Sequence, residues 1–600
     1  MAPDEEKGQI PAVSRPDIAH VGSARGPGDW TVKIGLRSAS TLASVASIAY
    51  FYHRAVSIYG APDFNWVYVV VFLIELDFSV TRILNYVLVH WIARNYSSRR
   101  QQKLLIGMDV PTIDISITCC GEPLDVALDT IQAVCNLEYP TDRYRVYILD
   151  DGNNSQLKAR VTDLGLVYPY LHYAARGKEV KTHSKAANLN FGMTLTGKDK
   201  PSEYMAVLDV DMIPEPKWLR KLLPHILEDP QTVMANPPQH FYNVPRNDHL
   251  GSALEWRYVA DVIMPLQDAI GAAWCTGSGF VVKRSAIVEI GGYPEECLQE
   301  DNLTSNLLAA RGMKVAFVNE QVQWGLAPES LAVMVKQRCR LAVGNISMIT
   351  FHLFEKIEGL TLHSRFHGIM ASMIYVWSMF GNTISMILLL GLLFAGVPLM
   401  PFSRTLLALS ILDFCAQVCF GLFETHLTAR RTHVLSHFQL IWMDPYRFGT
   451  ALGLLSARCP SFSPTGTKKS GSFLSKPFMG HEIRSIFHIA GLLLLIAAGM
   501  SSVISVPQKT IPELLTRIGS PAIFILWAAL VANSMVPVYF TYGKSQLVPR
   551  ESLLETHTAT GVRYPSKQAK ENDKAPVKEH HLLVCMAWCA IVAAFLFLTA

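Results

Sequence analysis

Apolar residues along the chain gather in two kinds of run, and the two predict different elements. The long kind suits a bilayer. Trp66–Trp91 can cross a hydrocarbon core of roughly 30 Å, and Leu36–Tyr52 before it is marginal. After a break the long runs resume at Thr383–Val397, Leu406–Phe423, Ile486–Val506, Ile518–Tyr539 and Leu582–Leu598. Phe366–Phe380 is apolar too, but Gly381 and Asn382 interrupt the run, which favours an interfacial helix. Glu329–Lys356 alternates apolar and polar residues at helical spacing, as a helix lying at an interface does.

The short kind of run occupies the stretch between residues 93 and 337, where charged residues return at ordinary density. Candidate strands are Ile113–Thr118, Arg145–Asp150, Met205–Asp209, Thr232–Ala235 and Trp274–Lys283. Helical patterns fall between them at Pro123–Cys135, Lys185–Thr194, Pro216–Leu227 and Asn302–Ala310. Such alternation predicts an α/β domain, large enough for a core of its own.

Composition agrees with a chain divided between lipid and water. Of 600 residues, 50% are apolar and only 17% charged, against a usual quarter or so. A net charge of +4 is too small for a nucleic-acid binder recognised by its field, or for a disordered polyelectrolyte. The eleven cysteines show no zinc-like pairing, and Cys415/Cys419 and Cys585/Cys589 fall in apolar runs, so no disulfide framework is expected.

Lysine and arginine orient the spans. Loop 425–485 carries eight and loop 543–580 seven, against one, none and two in loops 53–65, 398–403 and 507–517. The α/β domain and both basic loops are therefore expected in the cytosol, where the sequons at Asn302 and Asn345 stay unmodified. The expected division is a disordered cytosolic tail (1–30), two transmembrane helices (31–95), a cytosolic domain (96–345) and interfacial helices (346–382). Two transmembrane helices (383–424), a basic loop (425–485), and three more spans with a cytosolic loop (486–600) follow, about seven spans in all.

Two candidate strands end in acids, Leu149-Asp150-Asp151-Gly152 and Leu208-Asp209-Val210-Asp211. Ligands of open parallel sheets bind beyond the carboxyl ends of strands, where these carboxylates fall. A pair spaced i, i+2 can hold one divalent cation through hard oxygens, and that cation can bridge a diphosphate. Acids at a strand end also simply form turns, and either pair alone is weak. Their joint placement is the stronger signal.

The string Pro111-Thr-Ile-Asp-Ile-Ser-Ile-Thr-Cys-Cys-Gly-Glu122-Pro123, then Asp150-Asp151-Gly152, His183-Ser-Lys185-Ala-Ala-Asn188-Leu-Asn190, Asp209-Val-Asp211, Gly277-Ser278-Gly279, Gln299-Glu300-Asp301 and Gln337-Arg338-Cys-Arg340 follow one another in this order. That series resembles the cellulose-synthase-like family 2 glycosyltransferases, relatives of cellulose, chitin and hyaluronan synthases. It covers about residues 105–345 by motif and most of the chain by architecture. Glu75, inside the second span, resembles a glutamate those enzymes often carry there.

The resemblance implies a Rossmann-like GT-A domain inserted in an α-helical membrane domain. It implies an inverting hexosyl transfer from a UDP- or GDP-hexose, with Mg²⁺ or Mn²⁺, that forms β-glycosidic bonds. Asp151 resembles the aspartate that contacts the nucleoside, with Thr118 and Glu122 nearby in the base pocket. Asp209 and Asp211 look like the metal and diphosphate ligands, Lys185 like the phosphate-contacting lysine, and Asp301 like the general base. Gln337, Arg338 and Arg340 resemble the QxxRW box, whose arginine meets the leaving diphosphate. Cys275, Gly277, Ser278 and Leu341 fall on the acceptor side. Phe462, Thr465 and Lys468 are similar to the gating loop, here one residue longer.

Departures from the pattern bear on the acceptor. Leu341 stands where the box has a tryptophan that stacks on the terminal sugar. Either nearby Trp324 or Trp274 fills that role, or the acceptor is lipophilic. Thr276 follows Cys275 where the family more usually has Cys-Gly-Ser, and Gln299 replaces the threonine before the Glu-Asp pair. Glu75, Asp77 and Asp413 are costly in lipid and are expected to face the bundle interior, lining a path or joining helices, with Glu75 structural. Three functions remain open: processive synthesis of a β-polysaccharide moved through the spans; single glycosylation of a lipid or lipophilic metabolite; a non-catalytic scaffold or transporter. The expected partners are donor, sugar-chain or lipophilic acceptor and membrane lipid, with no nucleic acid.

Overall fold

A computed structural model describes residues 17–21, 29–62, 64–93, 102–177, 184–244, 257, 259–269, 271–328, 331–355, 362–401, 403–427, 439–454, scattered residues of 490–504, and 548–574. Fourteen strands in chain order are described: β1 Ile18–His20, β2 Lys103–Leu105, β3 Ile113–Cys119, β4 Tyr144–Asp150, β5 Leu171–Ala174, β6 Tyr204–Asp209, β7 Met212–Pro214, β8 Thr232–Asn236, β9 His240–Phe241, β10 Phe280–Lys283, β11 Lys314–Phe317, β12 Gln323–Gly325, β13 Leu554–Thr556 and β14 Arg563–Pro565.

Seven of them form one mixed sheet in the order β11-β8-β10-β6-β3-β4-β5. The residues of β3 are buried on both faces, as expected of a strand inside a parallel sheet covered by helices. Its one charge, Asp114, is tied by Arg145 and Arg284 at 2.7 and 2.6 Å. Strands β3, β4, β5 and β6 are parallel, whereas β10 runs antiparallel to β6 and β8. The sheet is therefore GT-A-like and mixed. The expected strand Trp274–Lys283 shrinks to β10, because Gly277 and Gly279 take φ of +92° and +74° and end the extension. Two apolar clusters, one around Ile115, Ile131 and Leu222 and the other around Leu189, Val207 and Ile287, form the core. A second sheet, β7-β12-β9, follows directly on the Asp209–Asp211 turn.

Helices of the domain are the Leu124–Cys135, Ser155–Gly165, Lys185–Thr196, Trp218–Leu227 and Glu300–Ala310 helices, with short ones at Met264–Ala269 and Arg284–Glu289. Trp218–Leu227 buries Trp218, Leu219, Leu222, Leu223 and Ile226, one stripe of a helix. Lys185–Thr196 starts where the Ser184 hydroxyl accepts the Ala187 amide hydrogen at 3.2 Å.

Long helices span Asp29–Tyr59, Trp66–Ala93, Leu331–Phe354, Leu362–Phe394, Arg404–Leu427 and Gln439–Leu454. The first packs on the second and on Arg404–Leu427, and Leu362–Phe394 packs on Trp66–Ala93. Among the described residues, Tyr375–Phe394 and Arg404–Phe423 are long and apolar enough to cross a membrane. The predicted runs 518–539 and 582–598 lie outside the described residues.

Four expectations are corrected. Gly381 and Asn382 do not end a helix. They lie inside Leu362–Phe394, where the Asn382 amide donates to Asp444 at 2.6 Å. The tail 1–30 contributes β1, paired antiparallel with β2. The basic loop 425–485 contains the helix Gln439–Leu454, in which Arg447 is buried beside Asp444 at 3.3 Å. Finally, part of the loop 543–580 folds onto the α/β domain as the β13–β14 hairpin and the helix Lys567–Lys574.

Candidate active site

Strand register builds the site. Thr118 lies opposite Asp209 in the β3–β6 pair, and Cys119 opposite Asp150 in the β3–β4 pair, so the polar ends of three strands share one edge. Asp150 is committed to the turn: its oxygens accept the Gly152 and Asn154 amides and the Tyr173 hydroxyl, each at 2.8 Å. Asp151 turns the other way, into a two-pronged pair with Arg176 at 2.6 Å for both bonds. Arg176 carried no sequence signal, because it follows β5 in an irregular stretch.

Asp209 is the hub. Its Oδ1 accepts from the Thr118 hydroxyl at 3.1 Å and from the Lys185 ammonium at 2.5 Å. Lys185 also reaches the Gly277 carbonyl at 2.5 Å. Burial pulls the Lys185 ammonium down, but Asp209 and then Glu300 outweigh it and its pKa ends above the ordinary value. Ser278 supports the Asp209 backbone: its hydroxyl accepts the Asp209 amide at 3.0 Å and donates to Gln323 at 3.2 Å.

Asp301 stands across this hub, in the first turn of Glu300–Ala310. Its Oδ1 accepts the Asn302 amide at 2.8 Å. Oδ2 faces Gly277, where a Cβ would come within 2.8 Å of it, so glycine there keeps the carboxylate's approach open. Lys185, Cys275, Gly277, Glu300 and Asp301 line one small cavity. Burial pushes both Glu300 and Asp301 upward, with Lys185 opposing in each case. Glu122 takes the Cys120 amide at 2.6 Å, and burial raises its pKa to about 7.

The arginine box occupies Leu331–Phe354. Gln337 is exposed, Arg338 is 4% exposed, and the charge of Arg340 acts on both Glu300 and Cys120. A joint that the sequence did not announce fixes this helix to Asp301. The Gln299 side-chain amide donates to the Leu341 carbonyl at 3.2 Å, and Gly344 admits it, since a Cβ there would lie 2.5 Å from Gln299 Cγ. The two tryptophans near the position of the ring missing at Leu341 sit in different surroundings. Trp324 is 1% exposed and donates to Glu215 at 2.7 Å, inside the second sheet. Trp274 packs on the cluster of Met264, Ala273 and Phe317. Cys275 is buried, and Phe462, Thr465 and Lys468 lie outside the described residues.

A divalent cation fits Asp209 and Asp211. Both are hard oxygen donors at one strand end, and among the described residues no group of three or more His, Cys, Asp or Glu could enclose a metal alone. Two carboxylates suit a cation whose remaining ligands come from a diphosphate.

Comparison with known proteins finds relatives over the residues that build the site. Residues 111–344 match the family model described as glycosyltransferase like family 2. A cellulose synthase catalytic subunit (UDP-forming) of Komagataeibacter sucrofermentans is 31% identical over 245 residues, which is 40% of this chain and 31% of that protein. Its namesake in Pseudomonas fluorescens is 27% identical over 319 residues, 52% of this chain and 41% of that one. Over these residues the chain resembles the family 2 glycosyltransferases and, among them, cellulose synthase catalytic subunits. It spans less than half the length of these curated relatives. Among solved structures, a mannosyltransferase from Pyrobaculum calidifontis in complex with GDP-Man and Mn²⁺ gives a TM-score of 0.44 at 14% identity, covering 66% of this chain and all of that chain.

Proposed function

We propose that the chain is a membrane-integrated inverting glycosyltransferase that moves a hexose from a UDP- or GDP-sugar to an acceptor brought from the membrane side. The observation that carries the reading is the meeting at Gly277 of Lys185, itself paired with Asp209, and the Asp301 carboxylate. In this reading Asp301 takes the acceptor's hydroxyl proton as the oxygen attacks the anomeric carbon. The bond to the diphosphate breaks and its electron pair leaves on the phosphate oxygen. Lys185 and Arg340 stabilise the charge that grows there, Asp151 and Glu122 line the nucleoside end, and Gln337 and Arg338 flank the box. Asp209 and Asp211 would hold Mg²⁺ or Mn²⁺, which neutralises diphosphate charge when bound. Attack opposite the leaving group inverts the centre, so an α-linked donor yields a β-glycoside.

Two acceptors are compatible with this chemistry: a growing sugar chain, and a lipid or lipophilic metabolite glycosylated once. Leu341 favours the lipophilic one, because leucine keeps the position apolar without a ring for a sugar to stack on, and Trp324 is buried. The test is nucleotide release by the purified chain with Mg²⁺ or Mn²⁺ and a panel of UDP- and GDP-sugars. No release, or equal release from Asp301→Asn, overturns the reading. A single glycoside as product supports the lipophilic acceptor, and a polymer retained on dialysis supports the synthase. Leu341→Trp is expected to shift the product toward longer chains.

A further inference from the structure

The described segment Val548–Lys574 lies far from every motif in sequence, yet it is bolted to the back of the donor side. Arg550 enters between Asp125 and Asp129, one turn apart on the helix Leu124–Cys135. It donates to Asp125 at 2.8 Å and to Asp129, while Arg563 holds the other Asp129 oxygen at 2.6 Å. Asp129 is 1% exposed and Arg550 is 8% exposed, so this pair is desolvated, while Asp125 and Arg563 close the cluster toward solvent. Leu553, Val562 and Ala569 bury themselves against Val126, Ala133 and Ile213. At the far end Lys570 pairs with Glu215 at 2.6 Å, over the Trp324 ring.

Arg550 reaches two loops of the site at once. Through Asp125 and Asp129 it holds the helix that begins directly after Glu122 and Pro123. Its Nε also donates to the Tyr242 hydroxyl at 3.1 Å. The Tyr242 amide donates to the Gly325 carbonyl at 3.1 Å, and Gly325 pairs with Met212, the residue after Asp211. One guanidinium thus joins the rear of the Cys120–Glu122 loop to the rear of the Asp209–Asp211 turn.

We propose that Val548–Lys574 is a strap that sets the spacing of these two loops, with Arg550 as a positioning residue for donor binding. This rests on the donor-site reading above, so one readout must not need turnover. Cys120 supplies it. Its thiol is half-buried, and burial beside Glu122 raises its pKa to about 11, which keeps alkylation slow. A loosened loop hydrates the thiol toward its ordinary value of about 8.5 and exposes more thiolate.

The experiment labels the purified full chain with N-ethylmaleimide and reads each cysteine by peptide mass spectrometry, for wild type, Arg550→Ala, Arg550→Lys and Lys570→Ala. The expected result is Cys120 labelling about tenfold faster in Arg550→Ala and about threefold faster in Arg550→Lys and Lys570→Ala. Cys415 and Cys419 stay unchanged as controls in the helix bundle. Lys570→Ala leaves the Asp129 cluster intact, so it tests the strap even if Arg550→Ala misfolds. Unchanged Cys120 labelling in all three variants, or Cys120 and Cys415 rising together, overturns the proposal. With turnover, the donor KM in Arg550→Ala is expected to rise about tenfold while kcat stays within about twofold. A fall in kcat alone overturns it. Absence of turnover in wild type counts against the transferase reading only, since the labelling result still decides the strap.

Discussion

The carboxylates of the helix bundle and those of the α/β domain differ in what binds them. In the helix bundle, Glu75 accepts from the Tyr50 hydroxyl at 2.8 Å and pairs with Arg54 at 3.2 Å, and Arg54 in turn donates to the Leu399 carbonyl at 2.8 Å. Asp413 accepts from Ser47 at 2.6 Å and from Gln417 at 2.7 Å, and Asp77 from Ser385 at 2.8 Å. These partners come from other helices or one turn along the same helix, and they join helices. In the α/β domain, by contrast, Asp301 has one oxygen on its own helix's backbone and turns the other to Gly277. Asp209 gathers a lysine and a hydroxyl that a ligand could displace. Burial alone therefore does not mark a reactive carboxylate. The direction and exchangeability of its partners do.

The comparison breaks most visibly on a pair of isosteric changes. Asp301→Asn is expected to cut nucleotide release by about 10³-fold with little change in Tm, as loss of a general base does. Glu75→Gln is expected to do the reverse. It leaves Arg54 buried with a neutral partner, at a cost of about 3 kcal/mol, and lowers Tm while kcat stays within about threefold. The two assays on the two purified variants check it. A large rate loss in Glu75→Gln with unchanged Tm would make the bundle carboxylates part of the reaction and erase the distinction.

A smaller effect sharpens the account of Asp301. Burial raises its pKa, and Lys185 holds it lower than burial alone would. The base works ionised, so activity rises with pH through that pKa, above the ordinary carboxylate value of about 3.9. Removing the ammonium disfavours the charged carboxylate. Lys185→Gln should therefore move the acid limb of kcat/KM to higher pH, besides lowering the rate about 10²-fold. A pH–rate profile of both proteins reads it. A lower rate with an unmoved limb would separate Lys185 from Asp301.

The same contrast explains what the sequence disclosed. Strand-end acids are local: a β-branched run ending in Asp-Asp-Gly or Asp-x-Asp already fixes where the carboxylates emerge, and β3, β4, β6 and β8 fall within one or two residues of their predicted bounds. Contacts between distant segments had no such signal. Arg176 reaches Asp151 from an irregular stretch, β10 is cut short by two glycines and runs antiparallel to β6, and Arg550 crosses more than 400 residues to Asp129. The continuous helix Leu362–Phe394 was hidden for the opposite reason. Gly and Asn read as a break, while tertiary packing against Asp77 and Asp444 overrode their weak helix propensity.

The smallest effect tests whether the two halves of the site move as one body. Gln299 alone among the described residues joins the start of the Asp301 helix to the Leu341 carbonyl by a side-chain hydrogen bond, and Gly344 is the notch that receives it. Gln299→Ala loses that bond but no charge. It should lower kcat about threefold through looser placement of Asp301 against Arg340, leaving donor KM and the acid limb where they are. Steady-state kinetics with varied donor separates this from a donor-pocket effect. A raised donor KM would mean that the joint supports the nucleotide side, and the base and the arginine box would then be two independent bodies.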